Sequence, residues 1–184
     1  EEIEEDKKEE TELFQFKQEA LSTEAQKAMD NVIKKCSNIL QFSKESAFFD
    51  DALYMIGVAY YYKQNYSRAL RKFRELEATP ESDLLLENKL WIAKTELQLR
   101  NYDSGLAILE EVKKLAREEE RDELLTEAYI FEISLLSFRE NYLRAIDICN
   151  EFLDYSDSEE EKAKVAFQLG KLNYGLNKFD KAAE

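Results

Sequence analysis

The sequence predicts an all-α fold, an α-α superhelix in which about 4.5 antiparallel helix hairpins stack as a solenoid. Three observations point there. One short phrase occurs four times: Asn65-Tyr66-Ser67-Arg68-Ala69, Asn101-Tyr102-Asp103-Ser104-Gly105, Asn141-Tyr142-Leu143-Arg144-Ala145 and Lys178-Phe179-Asp180-Lys181-Ala182. Its closing small residues, Ala69, Gly105, Ala145 and Ala182, stand 36, 40 and 37 positions apart, which is the period of a copied supersecondary unit. The chain also has only 4 Gly and 1 Pro in 184 residues, where globular averages would give roughly 13 and 9. Tight β-turns draw on those two residues, so their scarcity argues against hairpins and sandwiches. Finally, 36% charged and 44% apolar residues suit helices with one wet face and one dry stripe.

Residues 1–10 carry seven acids and two lysines and read as an acidic lead-in, frayed or disordered. A single solenoid is expected over 11–184, with units at about 11–42, 46–78, 80–119, 121–155 and 158–184, the last truncated. In the first, Leu13, Phe14, Phe16 and Ala20 suggest a short helix over Thr11 to Ala20. Thr23-Glu24-Ala25-Gln26 reads as a capping box opening a second helix. The stripe of that helix is Ala25, Ala28, Met29, Val32, Ile33, Cys36, Ile39 and Leu40. In the second unit Phe49, Leu53, Ile56, Gly57 and Tyr60 form one helical face, and Tyr66, Ala69, Leu70, Phe73 and Leu76 another. Asn65 is expected to make the turn between them through a left-handed φ. Thr79-Pro80 marks a break and a helix start. The charged boundary from Ala116 to Glu123 is four residues longer than its counterparts, which predicts extended helices. Ser158-Glu159-Glu160-Glu161 is a further capping box, and the second helix of its unit is expected to be cut short.

Small residues recur at fixed slots. Gly57 and Gly170 share one slot with Ala93, and Gly105 shares another with Ala69, Ala145 and Ala182. A mid-helix Gly costs about 1 kcal/mol against Ala, so a ladder of small residues predicts close approach of the two helices in each hairpin.

Leu53, Ile56, Gly57, Tyr60, Ala69 and Phe73 set out the pattern, Ile92, Ala93, Gly105 and Leu109 repeat it, and Leu169, Gly170 and Ala182 close it. This pattern resembles the tetratricopeptide repeat from about residue 49 to 184. The copy around Tyr129 departs from it, with Glu132 and Ile133 where a large and a small residue belong; either that helix is shifted by one residue or it packs differently. The stretch from Phe48 to Tyr61 also looks like the phrasing of bacterial envelope tetratricopeptide proteins, outer-membrane assembly lipoproteins among them.

The resemblance implies an extended peptide or helix bound along a concave face built by the first helix of each hairpin. Aligned copies give four columns there: Asp51, Glu87, Glu127 and Lys164; Tyr54, Leu90, Ile130 and Phe167; Val58, Lys94, Ser134 and Lys171; Tyr61, Leu97, Ser137 and Tyr174. The expected groove has an apolar, aromatic floor with acids at one end and lysines toward the other. Aromatic anchors are frequent binding hot spots, and opposed charge orients a partner. The same aromatic residues at helical spacing also serve simple packing. A basic and Asn clamp for a terminal carboxylate, as in chaperone-binding relatives, is missing at Tyr54, Val58, Leu90, Lys94 and Ile130.

Composition limits the chemistry. The formal charge of −14, from 40 acids and 26 bases, repels phosphate backbones and argues against nucleic acid. It serves solubility, or a preference for a partner with a basic segment. Histidine is absent, which removes the commonest general base and metal ligand. Adjacent acids such as Glu110 and Glu111 point different ways on a helix and make no acid/base pair. Cys36 and Cys149 lie about three repeats apart on apolar stripes, so two free thiols are expected, with no metal and no cofactor. No run of 18 apolar residues exists, so no direct membrane insertion is expected. The chain begins without Met and stops in mid-phrase, and is expected to be a fragment, with homo-association through the truncated last unit open.

These readings make the protein a non-catalytic scaffold, not an enzyme, that binds a peptide or protein segment. Two alternatives stay open: a bacterial envelope component that supports outer-membrane or wall assembly, and a regulatory or sensory segment of a larger signalling protein. Periplasm, envelope and cytoplasm are all compatible with the sequence.

Overall fold

A computed structural model describes residues 15–43, 45–79 and 81–183, with side chains through 177. Among the described residues there are eight helices and no strand. They are α1 (Thr23–Phe42), α2 (Phe49–Tyr62), α3 (Tyr66–Glu77), α4 (Leu85–Gln98), α5 (Tyr102–Glu118), α6 (Asp122–Phe138), α7 (Tyr142–Tyr155) and α8 (Glu159–Ala183). They fall into two compact units. One is Gln18–Glu120, where α1 to α5 pack each on the next. The other is Arg121–Glu184 together with the N-terminal residues through Lys17, where α6 packs on α7 and α7 on α8. The fold is the all-α helical-repeat class.

The turns explain how a chain poor in glycine can fold back so often. Gln64, Arg100, Glu120 and Glu140 hold left-handed φ angles of 57°, 67°, 55° and 57°. At the first of these turns the Asn65 N–H donates to the Tyr60 carbonyl and the Gln64 N–H to the Tyr61 carbonyl, both at 2.8 Å. The same pair of bonds recurs at Arg100–Asn101 and Glu140–Asn141, which is the Schellman closure of a helix C-terminus. The left-handed residue is thus the one before each Asn, and Asn65 itself sits at φ −92°. The Asn carbonyl then accepts the first bond of the next helix, from Ala69, Gly105 and Ala145. Asn101 adds a side-chain tie, donating from Nδ2 to Glu96 Oε2 at 2.7 Å.

Other expectations shift. Residues 15–22 are not helical; a helix of about ten residues is marginal in water unless tertiary packing sustains it. Leu13, Phe14 and the 1–10 lead-in lie outside the described residues. The cap of α1 is Ser22, whose hydroxyl accepts from the Ala25 N–H at 3.2 Å, not Thr23. The expected stripe of α1 is half-buried except for Ala28, which is exposed. Pro80 lies outside the described residues, and α4 begins later, at Leu85. The intervening turn is fixed by Ser82, whose hydroxyl donates to Asp50 Oδ2 at 2.6 Å and accepts from the Leu84 N–H at 3.2 Å. The Ser158 hydroxyl accepts from the Glu161 N–H at 3.3 Å. Glu161 does not reach back to close the box; its carboxylate accepts from Thr126 at 3.1 Å and Ser156 at 3.3 Å. The extra residues at the Ala116–Glu123 boundary lengthen α5 and α6 to 17 residues each. No turn forms near Lys178: α8 runs unbroken through the fourth copy of the phrase, so the expected second helix of that unit is not separate.

Inside each unit the core follows the apolar stripes. Ala69, Phe73, Leu76, Leu90, Ile92, Leu97, Leu109 and Val112 are fully enclosed in the first, and Leu125, Ile133, Leu135, Ile148, Cys149 and Phe152 in the second. Burying one such aliphatic or aromatic side chain contributes about 1.5–3 kcal/mol. Asn88 adds a polar link between helices, donating to the Phe73 carbonyl at 2.9 Å.

Candidate protein-binding faces

α2 and α4 supply the first-helix faces of the Gln18–Glu120 unit. Asp51 is exposed, and Tyr54, Val58 and Glu87 are half-buried. Tyr61, at 2% exposure, and Leu90 and Leu97, fully enclosed, belong to the core, which corrects their expected place on the groove floor. On α2 and α4 the open positions lie one residue further along the helix than two of the columns placed them. Helical neighbours sharing a face with Asp51 and Val58 are Met55 and Tyr62, each four residues on from one of them. Those two are 44% and 39% exposed. On α4 the same face carries Glu87, Trp91 and Lys94.

These side chains meet. Trp91 Nε1 donates to Tyr54 Oη at 2.7 Å. The indole lies edge-on to Tyr61 and Tyr62, with centroids 5.0 and 5.9 Å away, and stacks on Phe73 at 6.0 Å. Lys94, which is buried rather than open to the groove, sits with Nζ 4.8 Å above the indole ring. That placement is a cation–π contact and keeps the charge next to an aromatic wall. Beside Tyr62, a hollow of about 240 Å³ is lined by Ala20, Leu21, Gln26, Tyr62, Lys63 and Gln64. Trp91, Tyr62 and Met55 were missed in the sequence. Trp91 is the single tryptophan of the chain, and that signal was available.

In the other unit, Glu127 is exposed, Ile130 half-buried and Ser134 buried, its hydroxyl turned back to the Ile130 carbonyl at 2.7 Å. Ser134 therefore offers no open floor. Ser137 is half-buried and donates likewise to the Ile133 carbonyl at 2.6 Å. The face shared by Glu127 and Ser134 carries two aromatic rings that the expected columns passed over, Phe131 and Phe138, at i+4 and i+11 from Glu127. On α8, Lys164 pairs with Glu160 at 2.5 Å. Phe167 and Tyr174 are exposed, Tyr174 at 64%, and Lys171 Nζ lies 4.5 Å above the Phe167 ring.

The small-residue slots are unequal. A Cβ on Gly57 would press into the Phe73 ring, and one on Gly105 would lie 2.5 Å from Leu97 Cγ and 3.2 Å from the Ala93 carbonyl oxygen. One on Gly170 would meet nothing within 4 Å, so no close approach requires glycine there. Ala69, Ala93 and Ala145 are fully enclosed, and the Ala182 side chain lies outside the described residues. Burial raises the thiol pKa of Cys36 and pushes that of Cys149 up to about 12; both are free cysteines. Among the described residues no three carboxylates or thiols gather as a metal-ligand set, and no helix is long and apolar enough to cross a membrane.

Helix hairpins with apolar interiors and exposed first-helix aromatics define a helical-repeat scaffold. Residues 51–82, which hold α3 and all but the first two residues of α2, match the family of the tetratricopeptide repeat. That match supports a tetratricopeptide repeat in this stretch of the chain, and with it a role in protein–protein interaction in general. Proteins built from the repeat are typically non-catalytic. No curated protein and no solved structure matched the chain.

Proposed function

We propose that the chain docks a peptide or protein segment on the face of α2 and α4 formed by Met55, Tyr62 and Trp91. The observation that carries this reading is the exposure of Met55 and Tyr62 beside a partly open indole, on a helix that already buries Ala52, Leu53, Ile56, Ala59 and Tyr61 on its other side. An apolar stripe beyond what the core uses is a surface that water leaves readily. Aromatic and Met side chains supply large contact area and adapt to irregular partners. Asp51 and Glu87 border the stripe on one side, so a segment with a basic residue next to an apolar anchor fits its charge.

A random-peptide display library selected on the chain tests this. Selected peptides should shift the emission of Trp91, the only tryptophan, and Tyr62→Ala with Met55→Ala should weaken them at least about tenfold with helicity unchanged. Enrichment of no peptide, or equal affinity for parent and double variant, would refute the reading.

A further inference from the structure

The face of α6 is already occupied by the chain itself. Phe16 lies in the non-helical stretch of residues 15–22, yet it is only 6% exposed. Its ring packs 5.5 Å from Phe131 and 5.3 Å from Phe138, tilted at 51° and 36°. Phe131 and Phe138 are one helical stripe, seven residues apart, on the face that also carries Glu127 and Ser134. Counted from the left-handed residues Arg100 and Glu140 that end α4 and α6, Phe131 stands where Trp91 stands on α4, and Phe138 where Gln98 stands. A segment outside regular structure thus places one phenyl ring on the position that carries the indole in the other unit. Phe138 keeps 53% of its surface open, so the stripe extends past what Phe16 covers.

We infer that the segment bearing Phe16 is a built-in competitor for this face, and that the external ligand of α6 is a non-helical segment presenting a phenyl ring in the same way. The inference rests on the reading that first-helix faces are docking surfaces, and it adds their chemistry and their regulation. A tethered segment competes at an effective concentration on the order of millimolar. A free peptide of the same sequence is therefore excluded until the tether is weakened or displaced. The occupant of the face is an aromatic residue in a non-helical stretch, not an amphipathic helix.

The test uses the full chain, as parent and as Phe16→Ala, and a fluorescein-labelled peptide of residues 11–20 followed by fluorescence anisotropy. The peptide should bind the Phe16→Ala chain at least about tenfold more tightly than the parent. The same peptide carrying Phe16→Ala should lose that binding. Phe138→Ala, at a half-open position that truncation leaves folded, should abolish it in the Phe16→Ala background. Equal affinity for both chains overturns the competitor while leaving docking on α6 in place. Binding to neither chain at millimolar peptide overturns the inference altogether, and the library selection on Met55, Tyr62 and Trp91 then decides separately whether first-helix faces bind at all.

Discussion

The ring of Phe73 fills the space that a side chain on Gly57 would need: a Cβ there would lie 2.7 Å from Cδ1 and 2.9 Å from Cζ. Phe73 is fully enclosed and stacks on Trp91, so it has little room to yield. Helix propensity alone would make Gly57→Ala stabilising by about 1 kcal/mol. Overpacking a closed core costs about 1–3 kcal/mol and wins here, so Gly57→Ala should lower the urea midpoint. Gly170→Ala should raise it, because nothing stands within 4 Å of that position and only the propensity gain remains. Urea titrations of both variants measure this directly. Changes of the same sign would remove the distinction drawn between the two glycines.

A second expectation concerns the turns. Glu140 sits at φ 57° with an exposed side chain, where a Cβ costs about 1–2 kcal/mol in the left-handed region. Glycine adopts that region freely, though it gives up unfolded-state entropy. Glu140→Gly should therefore stabilise the chain by about 0.5–1 kcal/mol, whereas a β-branched Glu140→Val should destabilise it. Thermal unfolding of the pair reports the order. If the glycine variant melts below the parent, the left-handed strain assigned to this turn is not there.

Much of this architecture was legible because the repeat audits itself. The slot of Gly57, Ala93 and Ile133 grows along the chain, while the opposed slot of Phe73, Leu109 and Cys149 shrinks. Ala93, Leu109, Ile133 and Cys149 are all fully enclosed. Gly57 faces Phe73, and along the chain the first slot gains volume as the second loses it, which keeps the summed volume nearly level, as close-packed interiors require. Measured from the left-handed residue of each turn, Ile133 holds the place of Gly57 and Ala93. The helix around Tyr129 is therefore not shifted by one residue but packed differently. Tyr129 is enclosed and its hydroxyl donates to Glu151 at 2.6 Å.

The binding face was less legible, and for a geometric reason. Residues three and four apart on a helix differ by only about 100° around the axis between adjacent choices. Choosing Tyr54 and Tyr61 in place of Met55 and Tyr62 moved the expected floor on α2 from exposed positions to a half-buried and a buried one. Aromatic identity gave no help, since Tyr61 and Tyr62 are the same residue with opposite burial. The placement of Phe16 on α6 had no local signal at all. It is a contact between residues more than 100 positions apart, and the short apolar pattern around it read as a helix.

Trp91 offers a spectroscopic check on the aromatic cluster. Tyr54→Phe removes the hydroxyl that accepts the indole N–H. A hydrogen bond of this kind contributes about 0.5–1.5 kcal/mol. The urea midpoint of the variant should fall accordingly, and Trp91 emission should change with the loss of its hydroxyl partner. Emission and stability identical to the parent would mean that water replaces the hydroxyl without cost, and that the 2.7 Å bond has no energetic role.

The two thiols should behave differently, and with a definite pH dependence. Cys149 is fully enclosed on α7, and desolvation pushes its pKa up to about 12, from an ordinary 9.0. The folded state thus holds the neutral thiol, while the unfolded chain ionises near pH 9. The corresponding stability is whole below pH 9 and is lost as pH rises from there through the folded value near 12, because the unfolded state sheds its proton first. Cys36 is only half-buried, on α1, and its pKa is raised less far. Iodoacetamide at pH 8, with peptide mapping by mass spectrometry, should label Cys36 in the folded protein and reach Cys149 only when urea unfolds the chain, since the thiolate is the reactive form. Cys149→Ala should flatten the fall in urea midpoint above pH 9. Equal labelling rates at the two cysteines without urea would mean that α7 opens readily, and that the interior around Ile148, Cys149 and Phe152 is not the stable centre of its unit.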